Sequence, residues 1–221
     1  MGATKIMVIR HGEKPGNYDG KAYSGVDALG AVSGEGGAKH LTTLGWERAG
    51  ALGALFAKPW GPKSPLATPQ FLFASDPVAK HDDDASDEGP SQRPYETLTA
   101  LAAKLRLPIE ASHRKKHLTE LVADALTRDG AVLISWQHED IALKTKVGGH
   151  GISWEILNQT RTVDPSVTAA VPTTWPTAPA DSAGAVTARY DLVFVFDRPN
   201  GSGPITKFTL FAQQLLAGDL P

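Results

Sequence analysis

Apolar residues along this chain fall into two kinds of pattern that alternate. Ile6–Ile9, Phe71–Ala74 and Ala131–Trp136 are short unbroken runs, and a run of that length without polar alternation reads as a strand buried on both faces. Between and around them, three segments carry apolar residues at helical spacing. Leu41–Ala57 has Leu44, Ala49, Leu52 and Phe56, with Thr42 as its predicted N-cap; Arg93–Leu105 has Leu98, Leu101, Ala102 and Leu105; Lys116–Thr127 has Leu118, Leu121, Val122 and Leu126, closed by Asp129 and Gly130. Ile141–Val147 reads as a further helix and Ala212–Leu216 as a short terminal one. Tyr190–Arg198 and Ile205–Phe211 flank the turn-rich PNGSGP and predict an antiparallel hairpin at a sheet edge. The alternation predicts an α/β fold: three layers, a mostly parallel central sheet with helices on both faces, and an antiparallel edge hairpin. At 221 residues the chain suits one domain spanning 1–221. Its loop insertions are expected at about 13–40 (glycine-rich), 80–92 (charge-dense) and 163–188 (rich in Pro, Thr and Ala).

Composition narrows the function classes. A formal charge of −2 argues against a nucleic-acid partner, which calls for a basic excess or stripe. The absence of cysteine removes disulfide frameworks and thiolate metal sites. No apolar run approaches the roughly 20 residues that span a bilayer, and no leader pattern is seen; a cytoplasmic protein with no membrane partner is expected, its oligomeric state unread. The segment KHDDDASDEGPSQ holds His81 followed by three aspartates in a row, yet consecutive aspartates in a flexible stretch rarely converge on one ion, so a solvated loop and no metal is the expectation. His40, His81, His113, His117 and His150 are expected at the surface.

The chemistry concentrates at strand ends. The first run finishes in Arg10 and His11, the third in Gln137, His138, Glu139 and Asp140, and parallel strands bring such ends to one edge, where ligands of α/β sheets bind. Arg93 opens a helix, a position disfavoured for a cation unless an anion is present, and a helix N-terminus adds amide donors for the same anion. A histidine held through one ring nitrogen offers the other as a neutral nucleophile toward phosphorus. Arginines beside it match phosphoryl oxygens, whose charge grows in the transition state. A carboxylic acid at the same edge protonates the leaving oxygen, and Glu139 and Asp140 are candidates by position.

At these residues the chain resembles the histidine phosphatase superfamily, also called phosphoglycerate mutase-like. The match runs through Arg10-His11-Gly12 after a strand, with Asn17 six residues beyond His11, and then Leu41, Thr42, Gly45, Ala49 and Leu52 in LTTLGWERAGALG. It continues with Ser75-Asp76-Pro77 after the second strand, Arg93 with Glu96 and Thr97, and His138 closing the third, in order over residues 5 to 150. The resemblance implies a phosphoglycerate mutase-like fold and a phosphatase that hydrolyses a small phosphomonoester through a phosphohistidine on His11, without metal or cofactor. It implies Arg10, Arg93 and His138 as the phosphate pocket, lined by Asn17. Two departures stand out. Where the family carries its second arginine, three residues after Pro77, this chain has Lys80, an additional candidate contact, and Arg93 stands sixteen residues after Pro77. The proton donor is Glu139 by proximity to the strand end, with Glu110 and Glu13 as the other contenders. A phosphoglycerate-type mutase, or a catalytically silent phospholigand-binding protein with the same pocket, remain the alternatives.

Overall fold

Six strands build the central sheet of the computed structural model, which describes residues 2–18, 20–30, 35–78, 91–179 and 188–220. They are β1 (Ala3–Arg10), β4 (Phe71–Ala74), β5 (Ile109–Glu110), β6 (Gly130–Trp136), β7 (Leu192–Asp197) and β8 (Lys207–Ala212); β2 (Gly16–Tyr18) and β3 (Lys21–Tyr23) make a separate hairpin. The order across the sheet is β5-β4-β6-β1-β7-β8. β5, β4, β6 and β1 run parallel, and β7 and β8 complete the sheet antiparallel. The helices are α1 (Thr43–Phe56), α2 (Arg93–Leu105), α3 (Leu118–Thr127), α4 (Ile152–Gln159) and the short α5 (Pro165–Thr168). A mostly parallel sheet with an antiparallel edge hairpin is thus what the chain forms.

Both faces of the sheet are covered, which is why its central strands are apolar without interruption. Ile6 and Val8 of β1 join Leu121 and Val122 of α3 and Ile152 and Ile156 of α4 in one core. Met7 and Ile9 point the other way and join Leu52 and Phe56 of α1 and Leu98 and Leu101 of α2. All of these are fully buried. Each such side chain contributes about 1.5–3 kcal/mol by leaving water, and a one-residue slip of β1 would exchange its two faces. Register at the functional end of β1 is therefore fixed by packing along its length.

Two glycines let α1 sit directly on the exit of β1. A Cβ on Gly12 would lie 2.9 Å from the Gly45 carbonyl oxygen, and one on Gly45 would lie 2.8 Å from that of Glu13. The start of α1 is held there by Thr42, whose hydroxyl accepts from the Gly45 amide at 3.2 Å and whose amide donates to the Glu13 carbonyl at 2.9 Å.

The structure departs from the sequence expectations in several places. Residues 141–147 are not a helix: after β6 the chain makes one 3-10 turn, His138–Asp140, and an irregular crossing to α4, which the sequence reading missed. The Ser153 hydroxyl and amide both donate to the Ile141 carbonyl, capping that crossing rather than continuing a helix through it. Residues 212–216 hold the end of β8 and no helix. The 13–40 segment contains the β2–β3 hairpin and a 3-10 turn, Glu35–Lys39. The 163–188 segment contains α5 and Trp175, which is buried against Phe194 with ring centroids 5.0 Å apart. His117 and His150 lie at the surface as expected, His150 stacked on the Trp154 ring, whereas His40 and His113 are half-buried and engage Glu96 and Asp124. Lys80, His81 and most of the acidic insert lie outside the described residues.

Candidate active site

Parallel pairing brings the carboxyl ends of β4, β6 and β1 side by side. Arg10 pairs with Trp136, so His11 leaves the sheet beside Gln137, and its amide donates to the Trp136 carbonyl at 3.0 Å. Gln137 Nε2 donates to the Ser75 hydroxyl at 3.0 Å, linking the ends of β6 and β4 in the same floor. A cavity of about 1050 Å³, lined among others by Lys5, Trp60, Gly130 and Lys207, opens at the opposite, amino edge of the sheet, away from these histidines.

His11 is 2% exposed. Its Nδ1 lies 2.7 Å from its neighbour's carbonyl oxygen, Gly12 O. A carbonyl only accepts, so Nδ1 carries the proton and Nε2 keeps its lone pair. Burial holds the His11 pKa well below the usual histidine value, and Arg93 and Arg10 push it further down. Between two cations, the ring is neutral near pH 7.

Arg10 is equally buried. Its Nη1 donates to the carbonyls of Ala188 and Arg189, and its guanidinium carbon lies over the Tyr190 ring, 3.5 Å from the centroid. Its Nε is buried with no hydrogen-bond partner, an expensive state for a charged donor unless something accepts from it. Arg93 arrives by a different route. It opens α2, and Nη1 donates to the Ala38 carbonyl at 2.5 Å. The first turn of α2 is tied to the site through Thr97, whose hydroxyl accepts from the Gly12 amide at 2.8 Å and donates to the Arg93 carbonyl at 2.7 Å. The Gln92 amide and side chain bond Lys39 and Pro77, so the helix start also bridges the 38–39 loop and the chain leaving β4.

His138 opens the 3-10 turn after β6 and interacts electrostatically with His11 and Arg10. Burial, reinforced by Arg10, lowers its pKa to about 4, so it too is neutral near pH 7. The acids after it diverge. Burial would raise the Glu139 carboxyl, but Lys115, 3.5 Å away, together with His138 and Lys146, outweighs it and holds Glu139 below the usual carboxylate value. Asp140 is pushed up to about 6 by burial, Lys115 opposing and Glu139 adding.

Three of the other sequence candidates, Glu13, Glu110 and Asn17, are among the described residues. Glu13 is buried but turned onto Arg48, whose Nε and Nη2 reach its Oε1 at 2.9 and 2.7 Å. Arg48 also binds Asp219 and Gln213, so Glu13 belongs to a buried network that fastens the C-terminal segment to the exit of β1. Glu110 ends β5, at the edge of the sheet, with β4 and β6 standing between it and β1. Asn17 is exposed in the β2–β3 hairpin opposite Ala22. Lys80 lies outside the described residues. Trp136 packs wholly in the core.

Sequence reasoning missed Tyr190 and Tyr18, whose hydroxyls lie 3.1 Å apart above the Arg10 stack. Nothing local marks them, because Tyr190 reads as the first residue of a strand. It also missed Arg48, for which a signal existed: a charged residue on the buried stripe of α1, among Gly45, Ala49, Leu52 and Phe56. Among the described residues no group of three His, Asp or Glu side chains is arranged to hold a metal ion, and no helix is long and apolar enough to cross a membrane.

No family model matches the chain, and no curated protein matches it. Among solved structures it is similar to the candidate phosphohistidine phosphatase SixA of Agrobacterium tumefaciens, at 13% identity and a TM-score of 0.39 over 94% of this chain and 96% of that one. It is similar also to a mycobacterial hydrolase, at 14% identity and a TM-score of 0.40 over 98% and 94%. A mycobacterial glucosyl-3-phosphoglycerate phosphatase gives 12% identity and a TM-score of 0.36 over 96% and 99%. At these scores the likenesses carry no weight, and the argument rests on the site's own geometry.

Proposed function

We propose that this chain is a phosphatase of the histidine phosphatase type, hydrolysing a small phosphomonoester through a phosphohistidine on His11. The observation that carries the proposal is the state of His11: buried, held neutral by burial and by the charges of Arg93 and Arg10, and with its Nδ1 proton committed to the Gly12 carbonyl, which leaves the lone pair on Nε2. The ordered motifs that resemble the histidine phosphatase superfamily support the same reading.

In the first step the Nε2 lone pair attacks phosphorus, the P–N bond forms, and the bond from phosphorus to the ester oxygen breaks with the electrons leaving on oxygen. Arg10 and Arg93 meet the charge spreading over the equatorial oxygens, and neutral His138 donates a hydrogen bond to the same group. The leaving oxygen takes a proton from the Glu139–Asp140 pair, Glu139 by its position beside His138 and Asp140 by its greater proton affinity. In the second step water attacks the phosphohistidine and gives a proton back to the same carboxylate pair, the P–N bond breaks with its electrons returning to Nε2, and phosphate leaves with His11 and the acid restored. Cationic N–H donors supply the charge, so the steps are written without metal or cofactor.

Turnover of an aryl phosphate, with alkaline-quench trapping of labelled His11, tests the proposal. Wild type should turn over and trap label, and His11→Ala should do neither; a wild type that does neither overturns it. For proton donation, Glu139→Gln and Asp140→Asn are compared on alkyl and aryl phosphates. The donor's variant should lose roughly 10²-fold or more on the alkyl ester and far less on the aryl ester, which leaves unaided.

A further inference from the structure

We propose that Tyr190 is the positioning residue for the phosphate-binding arginine: by stacking on Arg10 it fixes which edge of the guanidinium faces the phosphoryl group. The inference rests on the pocket assignment above and adds a residue that no motif marks.

Arg10 has five N–H groups. The two on Nη1 go to the Ala188 and Arg189 carbonyls, and no other hydrogen bond of the guanidinium is made among the described residues. What remains is Nε–H and the two N–H groups of Nη2, and Nε–H with one of these forms the parallel pair that grips two phosphoryl oxygens at once. Carbonyls at one end of the guanidinium leave it free to tilt about that end. The Tyr190 ring removes this freedom, because the guanidinium carbon rests over it in close contact, 3.5 Å from the centroid.

The clamp is itself anchored. The Tyr190 hydroxyl lies 3.1 Å from that of Tyr18 and 3.4 Å from the Lys14 amide, and Tyr18 donates to the Lys14 carbonyl at 2.6 Å. Tyr190 thus bridges the two segments that flank His11, whose ring centroid lies 6.3 Å from its own. The Arg189 carbonyl that accepts from Arg10 also accepts from Trp175 Nε1 at 2.7 Å, and the Arg189 side chain is paired with Asp191 and the Leu220 carbonyl. Residues 188–191 are therefore a fixed strap, and the ring and carbonyls it presents act as a jig for Arg10.

Orthovanadate is the probe, since it fills a phosphoryl pocket without needing an acid or a leaving group. Tyr190→Leu should weaken vanadate inhibition and raise KM by the same roughly tenfold factor, the size of a buried cation–aromatic contact, while kcat moves less. Tyr190→Phe, which keeps the ring, should stay within about threefold of wild type. Equal vanadate affinity in wild type and Tyr190→Leu overturns the inference, as does a Tyr190→Phe as weak as Tyr190→Leu, which would place the effect in the hydroxyl bridge. Should Tyr190→Leu not fold, replacing Tyr190 by phenylalanine with increasing numbers of ring fluorines keeps size and drains the ring face: affinity should fall stepwise, and a flat series overturns the inference. A wild type that turns over phosphate esters but shows no effect of Tyr190 sinks only this proposal. A wild type that binds no vanadate sinks the pocket reading beneath it.

Discussion

The exits of β1 and β6 look alike in sequence, an apolar run ending in a histidine and then acids, but the fold treats them in opposite ways. His11 is sealed, its tautomer fixed by the next residue's carbonyl and both sides flanked by arginine. His138 is half-buried at the head of a 3-10 turn, with lysines and carboxylates around it. The difference comes from what covers each strand end. Over β1 lie α1, admitted by Gly12 and Gly45, and α2, tied down through Thr97. Over β6 lies an irregular crossing held by single bonds such as the Lys146 amide to the Glu139 carbonyl. Covering leaves His11 one ring nitrogen with a lone pair, while partial exposure leaves His138 a ring whose charge state depends on its neighbours.

Substituting each histidine by asparagine should break the symmetry most visibly. His11→Asn should lower kcat/KM by roughly 10⁴- to 10⁶-fold, as loss of a covalent nucleophile does. His138→Asn should cost roughly 10²- to 10³-fold, as loss of one transition-state hydrogen-bond donor does, and should still trap labelled His11. Steady-state kinetics with an aryl phosphate measures both, and comparable losses at the two positions would dissolve the distinction.

The acids beside the histidines extend the contrast. Glu13 and Arg48 are 7% and 3% exposed at their side chains, and Arg48 also neutralises Asp219. Arg48→Met strands two buried carboxylates and should destabilise the fold by about 3–5 kcal/mol. Glu139 and Lys115, at 3.5 Å and 29% and 37% exposure, form a looser pair. Lys115→Met should cost less than about 1 kcal/mol, yet it should raise the Glu139 pKa by removing the main group that holds it down. Urea titration of the two variants, with carboxyl NMR for Glu139, separates a structural ion pair from one that tunes a proton.

Much of this was legible in the sequence, and the boundary is instructive. The strands carrying Arg10, His11 and His138 were readable because burial on both faces writes itself as an unbroken apolar run. The convergence of those residues followed from parallel pairing. Thr42 was readable as a cap because capping is local. The partners of Glu13, Arg10 and Glu139 were not, because Arg48, Tyr190 and Lys115 come from distant parts of the chain and no periodicity encodes a single long-range contact. Helix 141–147 failed for the same reason as the missed α4: apolar residues on both sides of a glycine-rich turn satisfy a helical period whether or not the backbone bonds follow it. Asn17 followed a motif spacing, and the pairing that leaves it exposed opposite Ala22 in the β2–β3 hairpin is set by the backbone, which the motif does not encode.

The wild type should respond least in its stability against pH, because the two members of the β6 exit work against each other. His138 titrates near 4 in the folded chain against 6.5 for an unperturbed histidine, so between these values the unfolded chain binds more protons. Stability from keeping His138 neutral is thus complete above pH 6.5 and is lost as pH falls toward 4. Asp140 works in reverse: with its folded pKa raised to about 6 from 3.8, its ionisation costs stability above pH 6, and that cost is relieved on acidification. The two trends oppose each other, so wild type should show a shallow profile through this window. His138→Gln should gain stability relative to wild type as pH drops from 6.5 to 4, and Asp140→Asn should be favoured over wild type at pH 7 and lose that advantage toward pH 4. Thermal melts at matched ionic strength read both differences. Parallel profiles for all three proteins would mean that the β6 exit titrates as open surface, and the contrast with the sealed β1 exit would then rest on exposure alone.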